Sequence, residues 1–553
     1  MPVEHGPIQE LRQLGVALAI RLIKNMQKLL YIILALFLMV GSAFGTDYYI
    51  DPDAGSDGVG TFADPYNTWS GKTISSGNDY RQKCGTTETV NFDITNSGAS
   101  DNYIIIGAYY DDGGVVHEDD DPSFGQTCGN AAQKPIIQNS LKSGVKLIEI
   151  LGGVNRYIEI NSIQFKTSSS AVYIDSSYNT IRYCYVYDTQ WGIRIGEAAT
   201  SEYNTIEYNY FDLNDDQVNA NSDTVDVLHV YQYGAHNTVQ NNQITGYDHG
   251  AIIADDGASY NTFTNNYIYE SSTVESFCLN AQVGAIHNTY SYNYCKNAGQ
   301  AIEINGASSN TFYSNLLLCG GTTYPQNGQG CVALIPSGAT GSSNNLIYNN
   351  VIYNHDDSAT DSGIQLYAGA GDTGAMVDNE FINNIIQKMG MYAIRVSDDT
   401  GAIGTNYYKN NACYDYDTDK YANIEGTSYT TAAAFNARAD ASDNIDTDPK
   451  MTDPASADFT LQDVSPCVDA GYNLGGSYDD GWDPDTSMPP ATVDTFDQDL
   501  YGSDPFWEIG CYVYDDPAEN PPAGFTLTPY TDGTGALTIT PYTDATGALA
   551  ITP

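Results

Sequence analysis

The sequence predicts an all-β protein wound as a solenoid, and three observations carry that expectation. The first is an internal repeat. NTIEYNYF from Asn204 returns as NTVQNNQI from Asn237, NTFTNNYI from Asn261, NTYSYNYC from Asn288, NTFYSNLL from Asn310, NLIYNNVI from Asn345, NEFINNII from Asn379 and NYYKNNAC from Asn406. Looser copies start at Asn155 and Asn179, and the successive intervals are 24, 25, 33, 24, 27, 22, 35, 34 and 27 residues. A unit of that size, padded by insertions at three places, is the mark of a stack of short supersecondary units. The second observation is a short strand ahead of each Asn motif: AVYI at 171, GIRI at 192, LHV at 228, AIIA at 251, CLNA at 278, AIEI at 301, CVAL at 331, GIQL at 363 and AIRV at 393. Apolar residues alternate in these runs, and Gly, Ser and Asn join them through turns. The third is composition: 52 Gly and 45 Tyr among 553 residues, with 41% hydrophobic and only 16% charged, suit many tight turns around a large core.

Within the Asn motif the sixth position is Asn at 209, 242, 266, 293, 315, 350, 384 and 411, with Cys184 in the same slot one unit earlier. Coils stacked about 4.8 Å apart bring these amides within hydrogen-bonding reach of one another. Asn also tolerates the left-handed backbone of a tight turn, so the sixth position is expected both to turn the chain and to form a ladder.

On these residues the unit resembles the right-handed parallel β-helix repeat of the pectin-lyase-like superfamily, over about residues 100 to 415. YYIDPDAGSDGVGTFADPYNTW from Tyr48 is similar to the N-terminal segment of secreted bacterial members. DPKMTDPASADFTLQDVSPCVDAG from Asp448 and WEIGCYVYD from Trp507 are similar to their C-terminal cap. The resemblance implies an all-β, right-handed, single-stranded parallel β-helix of about ten or more coils with an Asn ladder, capped at both ends. The expected organisation is an N-terminal extension with signal peptide over 1–45, the β-helix with its N-terminal cap over 46–445, the C-terminal cap over 446–515, and a Pro/Thr/Gly-rich tail over 516–553. In the tail TPYTDGTGALTI from Thr528 repeats as TPYTDATGALAI from Thr540, which suits a linker or surface stalk.

The apolar run Leu29 to Val40 is too short to span a bilayer; Lys28 precedes it and Gly41, Ser42, Ala43 and Gly45 follow. It reads as a secretory signal starting at Met26 and cleaved after Gly45, with no stable membrane insertion afterwards and a secreted or cell-surface product. Ten cysteines suit export, and pairs are expected for Cys84 with Cys128, Cys319 with Cys331 and Cys467 with Cys511. No C-x-x-C pair or zinc-type spacing is present. Twenty-one Lys and Arg against 69 Asp and Glu give a formal charge of −48, which excludes nucleic acid as a partner. The same field disfavours polyanionic glycans unless Ca²⁺ bridges carboxylate to carboxylate, leaving neutral sugars or calcium as the expected partners. A solenoid with capped ends is expected to be a monomer.

In this superfamily substrates generally lie along the outside of the strand that precedes the turn. Taking the apolar residues as inward, the outward column runs Tyr173, Arg194, His229, Ile253, Asn280, Glu303, Ala333, Gln365 and Arg395. A second column holds Asp175, Tyr231, Asp255, Gln282, Asn305 and Tyr367. Tyr173, Arg194, Tyr231, Asp255, Asn280, Gln282 and Asn305 are the expected substrate contacts. The insertion before His229 carries Asp215, Asp216, Asp223 and Asp226, and the next loop carries Asp248 and His249, so carboxylates gather beside two imidazoles. Two chemistries fit. NSDTVDV at 221 and ITGYDHGAI at 244 are similar to the N-T-D and G-D-D segments of polygalacturonase-type hydrolases, which matches Asp223 and Asp248 to acid–base roles; Tyr247 departs from that pattern. A lyase would instead use a cation held by Asp215, Asp216, Asp223 or Asp226 and a base such as His249, Lys296 or Tyr231. His229 and Glu303, standing outward on strands, complete the catalytic candidates. A non-catalytic, adhesive or structural carbohydrate-binding surface is the third expectation, favoured by the C-terminal tandem.

Overall fold

The computed structural model describes residues 46–514 apart from 120–125, 130–131, 141–143, 214–225, 270–275, 321–329, 355–361, 417–419, 476–477, 479, 484–494 and 498–506. The expected signal peptide and tandem tail lie outside the described residues, as do Asp215, Asp216 and Asp223.

The chain is a parallel β-helix, with the right-handed crossovers that parallel strands of one sheet adopt. Each full coil contributes three short strands. In one coil these are Asp226–Val230, Thr238–Gln240 and Gln243–Thr245. Each pairs in parallel with its counterpart in the next coil: Leu228 with Ile252, Val239 with Phe263 and Ile244 with Ile268. The inward positions are apolar because every coil stacks only on its neighbours and must bury one face of all three strands. Rings fill one such column, with Phe263, Tyr290 and Phe312 stacked at 4.6 and 4.3 Å.

Two asparagine ladders run along the corners. At the sixth motif position, Asn242 Oδ1 accepts from the backbone N–H and the amide of Asn209 at 3.0 and 3.1 Å, and the pattern continues through Asn266, Asn293, Asn315, Asn350, Asn384 and Asn411 to Asn444. Cys184 joins its end by donating a backbone N–H to Asn209 at 2.9 Å. The first motif position forms a second ladder from Asn179 to Asn406. The left-handed residues are not the ladder asparagines, contrary to the expectation. They are the residues just before them, among them Tyr203, Tyr208, His236, Asn241, Tyr260 and Asn265, with φ of 54° to 56°. The turn is made one residue early so that each Asn amide can point into the stack, and the strain of about 1–2 kcal/mol per left-handed residue is offset by the amide bonds.

A hairpin of Ala422–Ile424 with Thr427–Tyr429 and the helical turn Ala432–Phe435 follow the last full coils, Phe435 packing against Tyr408, Tyr421 and Tyr429. Beyond them the chain runs back along the outside of the coils, where Trp482 donates to the Ser314 carbonyl at 2.6 Å and Asn383 to the Tyr472 carbonyl at 2.8 Å. Cys467 and Cys511 lie in this flank as buried free thiols, not as the expected disulfide. Backbone pairing sets Ile509 opposite Cys467 and Trp482 opposite Cys511, so each sulfur packs among apolar neighbours instead. Cys84 with Cys128 and Cys319 with Cys331 are bonded, and Cys278 with Cys295 is a third bond. The described residues include no helix long and apolar enough to cross a membrane.

Candidate functional site

The register lines up the outward residues of the strand series that precedes the turn. Tyr173 pairs with Arg194, Arg194 with His229, His229 with Ile253, Ile253 with Asn280 and Asn280 with Glu303. Ala333, Gln365 and Arg395 continue the column. These strands do not alternate strictly. Val227 and Leu228 both enter the core, as do Ala251 with Ile252 and Cys278 with Leu279, so the residue three before each column member is outward again. That adds an unforeseen column of Trp191, Asp226, Gly250, Phe277 and Gln300. Asp226 is thereby the first residue of its strand, on the same face as His229 and Tyr231.

Asp226 is the hub of the cluster. His249 Nδ1 lies 2.7 Å from its Oδ1, the Gly250 N–H donates to the same oxygen at 3.1 Å, and His229 Nδ1 stands 3.3 Å from Oδ2. A Cβ at Gly250 would meet the Ile253 side chain and come within 3.3 Å of that Asp226 oxygen, so the glycine lets His249 and the carboxylate meet. His229 Nε2 faces Asp255 Oδ2 at 3.5 Å, and its ring stacks on Tyr231 at 3.8 Å and 8°. These two His229 contacts are ion-pair distances, looser than well-formed hydrogen bonds. Burial alone would raise the Asp226 pKa, but the hydrogen bonds and charges of His229 and His249 outweigh it and hold the carboxyl well below its ordinary range. Burial would lower both imidazoles; Asp226 raises each of them, with Asp255 acting on His229 and Glu303 and Asp248 on His249.

Glu303 behaves oppositely. Burial pushes its carboxyl up to about 7 from 4.5, with small opposing effects from the Asn305 amide and the charge of His249. Asn305 Nδ2 donates to its Oε1 at 3.1 Å, while its Oε2 is buried without a hydrogen-bond partner. Beside it both amide atoms of Asn280 are buried and unpartnered, and the same holds for Gln365 further along. Gln282, Asn305 and Asp255 form the half-exposed neighbouring column.

At the other end Arg194 lies over Trp191, Tyr231 and Tyr173 at 4.6, 5.2 and 5.7 Å and pairs with Glu197 at 2.6 Å. Burial raises the Tyr231 phenol to about 12, so it keeps its proton at neutral pH. Asp248 is half-buried beside His249. Lys296 stands in a different strand series, in register with Tyr269 and Leu318, and no hydrogen bond or ion pair among the described residues links it to Asp226 or the imidazoles. Of the carboxylates expected to hold calcium, Asp226 is the one described, and its oxygens face the two imidazoles and an amide.

No family model matches the chain, and no curated protein matches it. Among solved structures it is similar to pectate lyase Pel9A at 12% identity, over 86% of this chain and 98% of that one, with a TM-score of 0.44. It is similar to XylC in complex with xylose at 10% identity, over 74% and 87%, with a TM-score of 0.45. It is also similar to the A-module of the mannuronan C-5 epimerase AlgE6 of Azotobacter vinelandii at 11% identity, over 68% and 91%, with a TM-score of 0.39. At these identities the likeness concerns the fold.

Proposed function

We propose that this chain is a secreted β-helix protein that binds an extracellular polysaccharide along the strand face from Arg194 to Gln365 and hydrolyses it. One observation carries the reading: two carboxyl groups of a single outward face are driven in opposite directions. Glu303 retains a proton near neutrality, whereas Asp226 is held ionised. Cleavage of a glycosidic bond draws on a proton donor and an ionised carboxylate, and one face that tunes its carboxyls in opposite directions, three coils apart, can supply both states. Glu303 protonates the leaving oxygen. In this reading Asp255, half-exposed and next to His229, receives the proton of the attacking water. Asp226 is a positioning residue that orients His229 and His249. Three disulfides suit the oxidising exterior.

The test is release of reducing ends from a polysaccharide panel by the wild type and by Glu303→Gln. Loss of about 10²–10⁴-fold in rate is expected of the variant. A Glu303→Gln protein as active as the wild type overturns the acid role. A binding protein without catalysis is the second reading, favoured by the stack of Tyr157, Tyr178, Tyr203, His236, Tyr260 and His287 at 4.9–5.2 Å, in which Tyr203 and Tyr260 are about half exposed. Retained glycan binding with no cleavage across the panel would establish it.

A further inference from the structure

We infer that the glycan taken by this face is uncharged, and that the Asn280 and Gln365 amides receive its hydroxyl groups on either side of Glu303. The inference rests on the face described above being the glycan site, and it names the substrate class.

The first support is what the face lacks. In the strand series of this face the outward positions from Asp226 to Gln365 carry no Lys or Arg among the described residues; Lys296 stands in another series. The ionisable groups there are Asp226, Asp255, Glu303 and the two imidazoles, which Asp226 and Asp255 already engage. Arg194 lies at one end, tied to Glu197, and Arg395 begins the coil beyond Gln365. A polyuronate would set a carboxylate on successive sugars against Asp226 and Asp255. Each unpaired like-charge approach at 4 Å costs about 1–4 kcal/mol in water-like to surface-like surroundings. The net charge of −48 adds to that repulsion.

The second support is what the face holds unused. Asn280 is wholly buried and Gln365 is 1% exposed, yet neither amide has a hydrogen-bond partner for its nitrogen or its oxygen. A buried amide left unmade costs about 1–3 kcal/mol per group and calls for a reason. Each amide offers a donor and an acceptor, the pair a sugar hydroxyl answers and a carboxylate answers only by half. Asn280 is one coil before Glu303 and Gln365 is two coils after it, so the amides lie about 5 and 10 Å from it along the axis. Ala333, between Glu303 and Gln365, leaves the column low there. Gln282 and Asn305, two residues on from Asn280 and Glu303, form the half-exposed edge of the face beside the buried Asn280 amide.

The experiment offers the secreted full chain soluble arabinoxylan, mixed-linkage β-glucan, galactomannan and dextran beside polygalacturonate and alginate, each with calcium and with EDTA. Binding is read by affinity electrophoresis at low and high salt, and cleavage by reducing ends. Binding is expected to at least one neutral polymer, little changed by salt, and to neither polyuronate. Asn280→Ala and Gln365→Ala are each expected to weaken it about tenfold, with folding checked by thermal melts. If one variant fails to fold, the other carries the test. Binding or cleavage of a polyuronate in preference to the neutral polymers overturns the inference, and if Glu303→Gln abolishes that cleavage the acid role survives. Neutral binding that depends on Asn280 or Gln365 but yields no reducing ends upholds the inference while overturning hydrolysis. Binding to neither set, or neutral binding indifferent to both substitutions, also overturns the inference.

Discussion

The corner ladders and the site face are built from the same side chain in the same repeat, and they treat it in opposite ways. Asn293, in a ladder, donates to the Phe263 carbonyl and to Asn315, and accepts from the Asn266 backbone and amide, all at 2.9–3.0 Å. Asn280, thirteen positions earlier in the chain and equally buried, makes no side-chain bond. Within one coil the fold therefore contains an amide that is fully used and an amide that is not used at all. A buried polar group that the fold consumes is a structural group, and one that the fold leaves unpaired is carried at a cost. In this coil the difference separates an amide that holds the solenoid together from one on the proposed glycan face that the fold leaves unpaired.

The largest effect is expected where the comparison is broken on the ladder side. Asn293→Ala strips the Asn266 N–H of its acceptor and the Phe263 carbonyl of an amide donor, both deep in the stack. One orphaned backbone N–H and three lost amide bonds make a loss of about 2–5 kcal/mol, read as a lower urea midpoint. A loss below about 1 kcal/mol would mean that neighbouring coils re-form the ladder around the gap.

Most of this architecture was legible in the sequence because a solenoid writes its register into its period. Once Asn237 and Asn261 are set as equivalent, His229, Ile253 and Asn280 fall into one column, and the structure pairs them so. Three things were hidden by local geometry. Asp226 read as an insertion residue, because two consecutive inward residues, Val227 and Leu228, interrupt the alternation that would have placed it on the face. The Cys278–Cys295 bond is not among the expected pairs; the two are inward on two strands of one coil, which is what brings them together. The left-handed turn residues were assigned one place too late, since sequence shows that Asn recurs but not which φ it takes. The orphaned state of Asn280 and Gln365 depends on what packs against them, which no repeat encodes.

A middle-sized effect is expected from pH, and it sharpens the comparison by isolating a carboxyl that the fold does not satisfy. The folded Glu303 carboxyl titrates near 7, above its ordinary 4.5. Between those values the folded state holds a proton that the unfolded state has released, so stability falls as pH rises from about 4.5 to 7 and then levels off. The decline is on the order of 3 kcal/mol. His229 and His249, raised by Asp226, add stability that is full below about 6.5 and is lost as pH rises through their folded values. Asp226 works the other way, its contribution being lost at low pH. Urea midpoints of Glu303→Gln across this range should lack the decline below pH 6.5 and keep the part due to the imidazoles. An unchanged profile would mean that Glu303 ionises freely in the folded protein.

The smallest effect on stability is expected at Asn280, and its smallness is the informative part. Asn280→Ala removes two polar atoms that make no bond, so the desolvation it relieves offsets the packing it gives up, and the urea midpoint should move by less than about 0.5 kcal/mol in either direction. Asn293→Ala, one strand series away in the same coil, is the matched control for burial and side-chain size. If Asn280→Ala costs as much as the ladder substitution, then Asn280 is a structural amide whose partners form in solution, and the division of the coil into a used and an unused corner fails. If it leaves stability in place while glycan retention drops, the cost of the unpaired amide is one that the folded protein carries for its ligand.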